Sequence, residues 1–161
     1  MIFVCVGSRG YQFNRLLKSI DQLIEDGEIE EEVFAQIGGS DYLPLHYKYE
    51  RYLDESKFHL LQREAGLIIS HGGTGALITA LKQGKQVVAV PRLHSYGEHI
   101  DDHQLQVVGV LEKQGYVHVA YDMDELGRVI KEAKEHPIHK KYDLPSHVIS
   151  VIDAYIKEEL K

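Results

Sequence analysis

The chain has 161 residues and a formal net charge of −7, with 43% hydrophobic and 27% charged residues. That length and balance describe one ordinary globular domain with room for a proper core. They lack the basic footprint of a general nucleic-acid binder, so no nucleic-acid partner is expected. Cys5 is the single cysteine, which excludes a disulfide within the chain and leaves it as a small core residue.

Ile2 to Val6 is a continuous apolar run, the pattern of a strand buried on both faces. Gly7-Ser8-Arg9-Gly10 turns the chain, and a helical period follows through Phe13, Leu16, Leu17, Ile20, Leu23 and Ile24. Val33 to Ile37 reads as a second strand closed by Gly38-Gly39, and Tyr47 to Leu53 as a third. Asp54 is placed to cap a helix through Phe58, Leu61 and Ala65. A fourth strand, Leu67 to Ser70, breaks into His71-Gly72-Gly73-Thr74-Gly75 and a helix to Lys82. Gln86 to Val90 is a fifth strand ended by Pro91, residues 101–114 a helix, and Tyr116 to Ala120 a sixth strand. Asp124 to Glu135 continues as helix, and an amphipathic helix over 145–161 closes the chain, docked on the sheet or turned toward another protein.

Strands alternating with helices predict a single Rossmann-like α/β domain over 1–161, a parallel sheet of about six strands with helices on both faces. Its ligand edge collects the loops at Gly7, Gly38, His71 and Pro91. The Gly-x-Gly-x-x-Gly dinucleotide fingerprint is not met after the first strand. No run approaches the length of a membrane span or a signal peptide, so a cytoplasmic protein is expected, with any membrane association supplied by a partner.

The turn at 71–75 opens a helix, and the first turn of a helix offers unpaired N–H groups and partial positive charge to an anion. Gly72, Gly73 and Gly75 lack a Cβ, so a diphosphate can approach the main chain; the duller reading is a tight turn with glycines for packing. His71 and Thr74 are candidate donors to the same phosphate, though His71 reads equally as a structural histidine. Arg9 and Arg92 follow the first and fifth strands, where either can neutralise phosphate. Glu98-His99-Ile100-Asp101-Asp102-His103-Gln104 gathers polar groups suited to sugar hydroxyls. The spacing of His99 and His103 also admits a metal site, with His94 as third ligand; the fuller metalloprotease motif is absent.

The stretch Leu67 to Gly75, then Gln86 to Pro91, then Asp102-His103-Gln104 resembles the C-terminal, donor-binding half of family 28 glycosyltransferases, whose fold is the GT-B type. The peptidoglycan N-acetylglucosaminyltransferase belongs to that family, and plant-type glucosyltransferases carry a related His-x-Gly box with a later Asp-Gln. As a stand-alone donor half, the chain is similar to two-component enzymes. One is the eukaryotic N-acetylglucosaminyltransferase subunit acting on dolichol-linked sugar; closer are bacterial exopolysaccharide and capsule subunits of the β-1,4-galactosyltransferase type.

The resemblance implies that His71, Gly73 and Thr74 contact the diphosphate of a UDP-sugar, that Gly7, Ser8 and Arg9 face the cleft, and that His103 and Gln104 hold the donor sugar. It also implies a lipid-linked saccharide acceptor and a membrane-associated partner subunit at the inner face of the membrane, with no cofactor or resident metal. Most of the wider family has a glutamate for the ribose hydroxyls where this chain has Thr79, a substitution the exopolysaccharide subunits share. The expected reaction is inverting hexosyl transfer, with no catalytic base assigned. Two rivals remain: a non-catalytic nucleotide-sugar-binding regulatory subunit, and a metal-dependent hydrolase.

Overall fold

A computed structural model describes residues 1–143; the expected C-terminal helix lies outside the described residues. The strands are β1 (Ile2–Cys5), β2 (Val33–Gln36), β3 (Lys48–Glu50), β4 (Leu67–His71), β5 (Val87–Val90) and β6 (His118–Val119). The helices are α1 (Asn14–Glu25), α2 (Glu55–Glu64), α3 (Thr74–Lys82), α4 (His103–Lys113) and α5 (Leu126–Glu135). The six strands form one sheet in the order β3-β2-β1-β4-β5-β6, and every pairing is parallel.

Strand periodicity divides the core into two layers. Ile2, Val4 and Val6 pack on one face with Leu16, Leu17 and Ile20 of α1 and Val129 and Ile130 of α5. Phe3 and Cys5 face the other layer, with Leu77 and Leu81 of α3 and Val107, Val108 and Leu111 of α4. Burial pushes the Cys5 thiol up to about 11, which suits the packing role expected for it.

Two elements differ from the sequence expectation. The third strand shrinks to Lys48–Glu50, because it lies at the sheet edge with Lys48 and Tyr49 exposed and only β2 to pair with. The helix expected over 101–114 starts at His103, and a single 3-10 turn, His94–Tyr96, precedes it, closed by Gly97 at φ 69°. Asp54 caps α2 as expected, its side chain accepting from the Lys57 N–H at 2.8 Å.

The chain reverses strand order between β1 and β4, and the loops leaving those neighbours open a crevice at the carboxyl ends of the strands. The glycine-rich segments 7–10 and 72–75 both emerge there.

Candidate active site

The crevice holds a cavity of about 590 Å³. Gly7, Ser8 and Arg9 line one part of it, and His71, Gly72, Gly73, Thr74 and Gly75 another. At the start of α3 no side chain caps the helix, and Leu77 is the first residue whose N–H bonds back, to the Gly73 carbonyl at 3.1 Å. The N–H groups of Thr74, Gly75 and Ala76 therefore precede the helical ladder and border the cavity.

The glycines are required by close approach. A Cβ on Gly73 would stand 2.7 Å from His71 Cε1, and one on Gly7 would stand 2.5 Å from His71 Nε2. Gly7 also has φ 87°, which L side chains rarely adopt. A Cβ on Gly72 would meet Gln104 Cβ at 2.7 Å. His71 is thus a buried imidazole wedged between the two glycine loops.

Burial, and then the Arg92 charge, pull the His71 pKa from 6.5 down to about 3, so the ring is neutral. The unfolded chain binds a proton here below about 6.5 and the native chain only near 3. Stability from this group is whole at neutral pH and is lost as pH falls through that window, by up to about 1.4 kcal/mol per unit. Urea unfolding at about pH 7 and about pH 5 is expected to give a shallower loss in His71→Asn than in wild type. Equal slopes would remove the neutral imidazole from this account.

Of the expected site residues, Glu98 and Asp102 lie outside the cavity, while Arg92 lines it with its guanidinium committed to the protein. Arg92 is 2% exposed, and its guanidinium turns inward. Nη1 donates to the carbonyls of Tyr11, Gln12 and Glu98 at 3.2, 2.9 and 3.0 Å, and Nη2 donates to the Val6 carbonyl. Those carbonyls belong to the loop after β1 and the loop after β5, so Arg92 joins two walls of the cavity rather than offering its charge to phosphate. Glu98 is 1% exposed and accepts from Arg15 Nε and Nη2 at 2.7 and 3.1 Å, away from the glycine cavity. Asp102 is exposed, is not a lining residue, and accepts the His94 N–H at 2.9 Å.

His103 and Gln104 do line the cavity. Gln104 Oε1 accepts the N–H groups of Gly72 and Arg92 at 3.0 and 3.1 Å, which ties α4 to the ends of β4 and β5. Thr79 lines the cavity too, with its hydroxyl donating to the Gly75 carbonyl at 2.8 Å.

Sequence reasoning missed Gln36. Its Nε2 donates to the carbonyls of Gly7 and Arg51 at 2.9 and 2.8 Å, and its Oε1 accepts the Gly7 N–H at 3.1 Å. The signal was present: an amide at the buried end of an apolar strand must find partners. Tyr52, Leu53 and Phe58 supply an apolar wall that no motif marked. Among the described residues, no group of three or more His, Cys, Asp or Glu side chains is arranged to hold a metal, so His94, His99 and His103 do not converge as a hydrolase centre would need.

A crevice at a strand-order reversal, floored by glycines and a helix start, defines a doubly wound α/β domain with its cavity at the carboxyl ends of the strands. The chain belongs to glycosyltransferase family 28: the family's C-terminal domain matches residues 1–154. Over 94 residues it is 32% identical to UDP-N-acetylglucosamine transferase subunit ALG13 of Yarrowia lipolytica, a stretch covering 58% of this chain and 45% of that protein. The chain thus spans under half the length of this relative. The solution structure of ALG13 shares its fold, with TM-score 0.62 and 15% identity over 94% of this chain and 93% of the other. MurG of Acinetobacter baumannii is similar at TM-score 0.61 and 15% identity, covering 96% of this chain and 49% of that one.

Proposed function

We propose that the chain is the donor-binding, catalytic subunit of a two-component glycosyltransferase that moves galactose or N-acetylglucosamine from a UDP-sugar to a lipid-linked saccharide, with inversion, in exopolysaccharide or capsule synthesis. The observation that carries this reading is the cradle: two glycine loops and an uncapped helix start, joined around a neutral His71. As the glycosidic bond breaks, negative charge grows on the departing diphosphate. Fixed main-chain donors at Thr74 and Gly75, aimed where that charge develops, stabilise the transition state more than the ground state. The Thr74 hydroxyl is a side-chain donor at the same place, beside the buried His71 ring, and Arg9, exposed at the rim, adds a cation.

His103 and the Gln104 amide nitrogen are the groups for the sugar hydroxyls, since both line the cavity and Gln104 is held in place through its oxygen. A membrane-associated partner subunit supplies the acceptor half and holds the pair at the inner face of the membrane. Among the described residues no helix is long and apolar enough to cross a membrane. Similarity to a protein named as a transferase subunit supports the two-component arrangement.

Calorimetry with UDP, UDP-galactose and UDP-N-acetylglucosamine tests the donor site. UDP is expected to bind, and a co-crystal to place its diphosphate on the N–H groups of Thr74 and Gly75. Nucleotide lodged away from residues 72–75, or no binding of any of the three, would overturn the reading. The regulatory alternative predicts equal binding and no sugar transfer when the chain is produced together with its membrane partner.

A further inference from the structure

Transfer to a hydroxyl leaves a proton to be removed, and the motifs of the family resemblance assign no group to take it. His99 lines the same cavity as Gly7 and the 72–75 turn, and its side chain is only 9% exposed. Its Nδ1 lies 3.1 Å from Asp101 Oδ1. The same oxygen accepts the His103 N–H at 2.9 Å, so the carboxylate is anchored to the first residue of α4. Burial opposes ionisation of Asp101, but the His103 N–H and the neighbouring His99 outweigh it and hold its pKa below the usual carboxylate range.

An ionised carboxylate facing Nδ1 selects the tautomer with a proton there, since a bare lone pair would be repelled. The Asp101 N–H also approaches Nδ1, at a long 3.4 Å, and is the weaker contact. The ring also packs beside Tyr11, with centroids 5.7 Å apart, and His94 Nδ1 contacts the His99 backbone carbonyl at 3.2 Å. Nε2 is then the nitrogen that keeps its lone pair, on a ring that lines the cavity. A base within a cavity, oriented through its other nitrogen by a carboxylate, is the arrangement that general-base catalysis uses. His71 does not compete for the role, because it is wedged against the glycines of the phosphate cradle.

Resting on the transferase reading above, we propose that His99 is the general base of the reaction and Asp101 its positioning residue. The acceptor hydroxyl gives its proton to His99 Nε2 while its oxygen bonds to C1 of the donor sugar. The bond from C1 to the diphosphate oxygen breaks, and its electron pair leaves with UDP. His99 then releases the proton to solvent.

The test uses the full chain with water as acceptor, following UDP release from UDP-galactose and UDP-N-acetylglucosamine beside UDP calorimetry. His99→Ala and His99→Gln are expected to slow release by about 10²–10⁴-fold, with UDP affinity unchanged within about twofold. Added imidazole restores part of the rate to His99→Ala and none to Asp101→Asn, which keeps an oxygen for the His103 N–H. Ring-nitrogen NMR of the wild-type chain is expected to show Nε2 unprotonated, and Asp101→Asn to mix the tautomers. Wild-type rates in both His99 variants, a protonated Nε2 in neutral wild-type His99, or UDP binding with no release by the wild type would overturn the proposal. Failure of the wild type to bind UDP strikes the donor-site reading itself, and this proposal falls with it.

Discussion

Arg92→Met is expected to lower stability by about 3–5 kcal/mol, a fall of roughly 10–15 °C in Tm. Methionine fills much of the same space but donates nothing, so the carbonyls of Val6, Tyr11, Gln12 and Glu98 lose the guanidinium that serves all four. Each buried acceptor left without a partner costs about 1–3 kcal/mol, reduced where water can reach it. Arg92→Lys keeps the charge and one donor centre, but its ammonium cannot span four carbonyls on two loops; a loss between wild type and the methionine variant is expected. Urea unfolding followed by circular dichroism measures both. A methionine variant within about 1 kcal/mol of wild type would show that the arginine joins nothing of consequence.

Gly73→Ala is the second large effect, and it falls on binding. The added methyl would stand 2.7 Å from His71 Cε1, and the ring cannot retreat because Gly7 lies against it. Either the ring or the start of α3 must shift, which displaces the N–H groups of Thr74 and Gly75. A loss of UDP affinity of at least about 100-fold is expected, equivalent to some 2.7 kcal/mol. The same substitution in a His71→Ala background removes the collision. The penalty of the alanine there is expected to shrink, with a coupling of about 1–2 kcal/mol between the two sites. Additive effects in that cycle, or unchanged UDP affinity in Gly73→Ala, would separate His71 from the cradle.

The sheet was legible because its strands are apolar without interruption, as Ile2 to Val6 and Val87 to Val90 show, and a buried parallel strand needs nothing else. Chain order and loop position then put the two glycine turns on one edge, where both line the same cavity. Edge strand β3 was overextended because alternation continues past the point where a pairing partner runs out. The inward turn of Arg92 left no trace in the sequence: an arginine after a strand at the ligand edge looks alike whether it faces phosphate or four carbonyls. The inward pairing of Glu98 is equally silent in the sequence, since its partner Arg15 lies 83 positions away. Gln36 and the His99–Asp101 pair depend on rotamers and on a short turn, His94–Tyr96, that the helical pattern of the following residues concealed.

The division of labour around the crevice has an evolutionary consequence. In the proposed site the groups that face the diphosphate are backbone N–H groups and absent side chains, so most substitutions there are expected to be losses. The opposite bank is carried by side chains on a surface segment between β5 and α4, where Ile100 is 66% exposed. On the proposed reading, substitution of its exposed positions, Ile100 first, is expected to alter sugar preference while Arg92 and Glu98 keep the segment tied down.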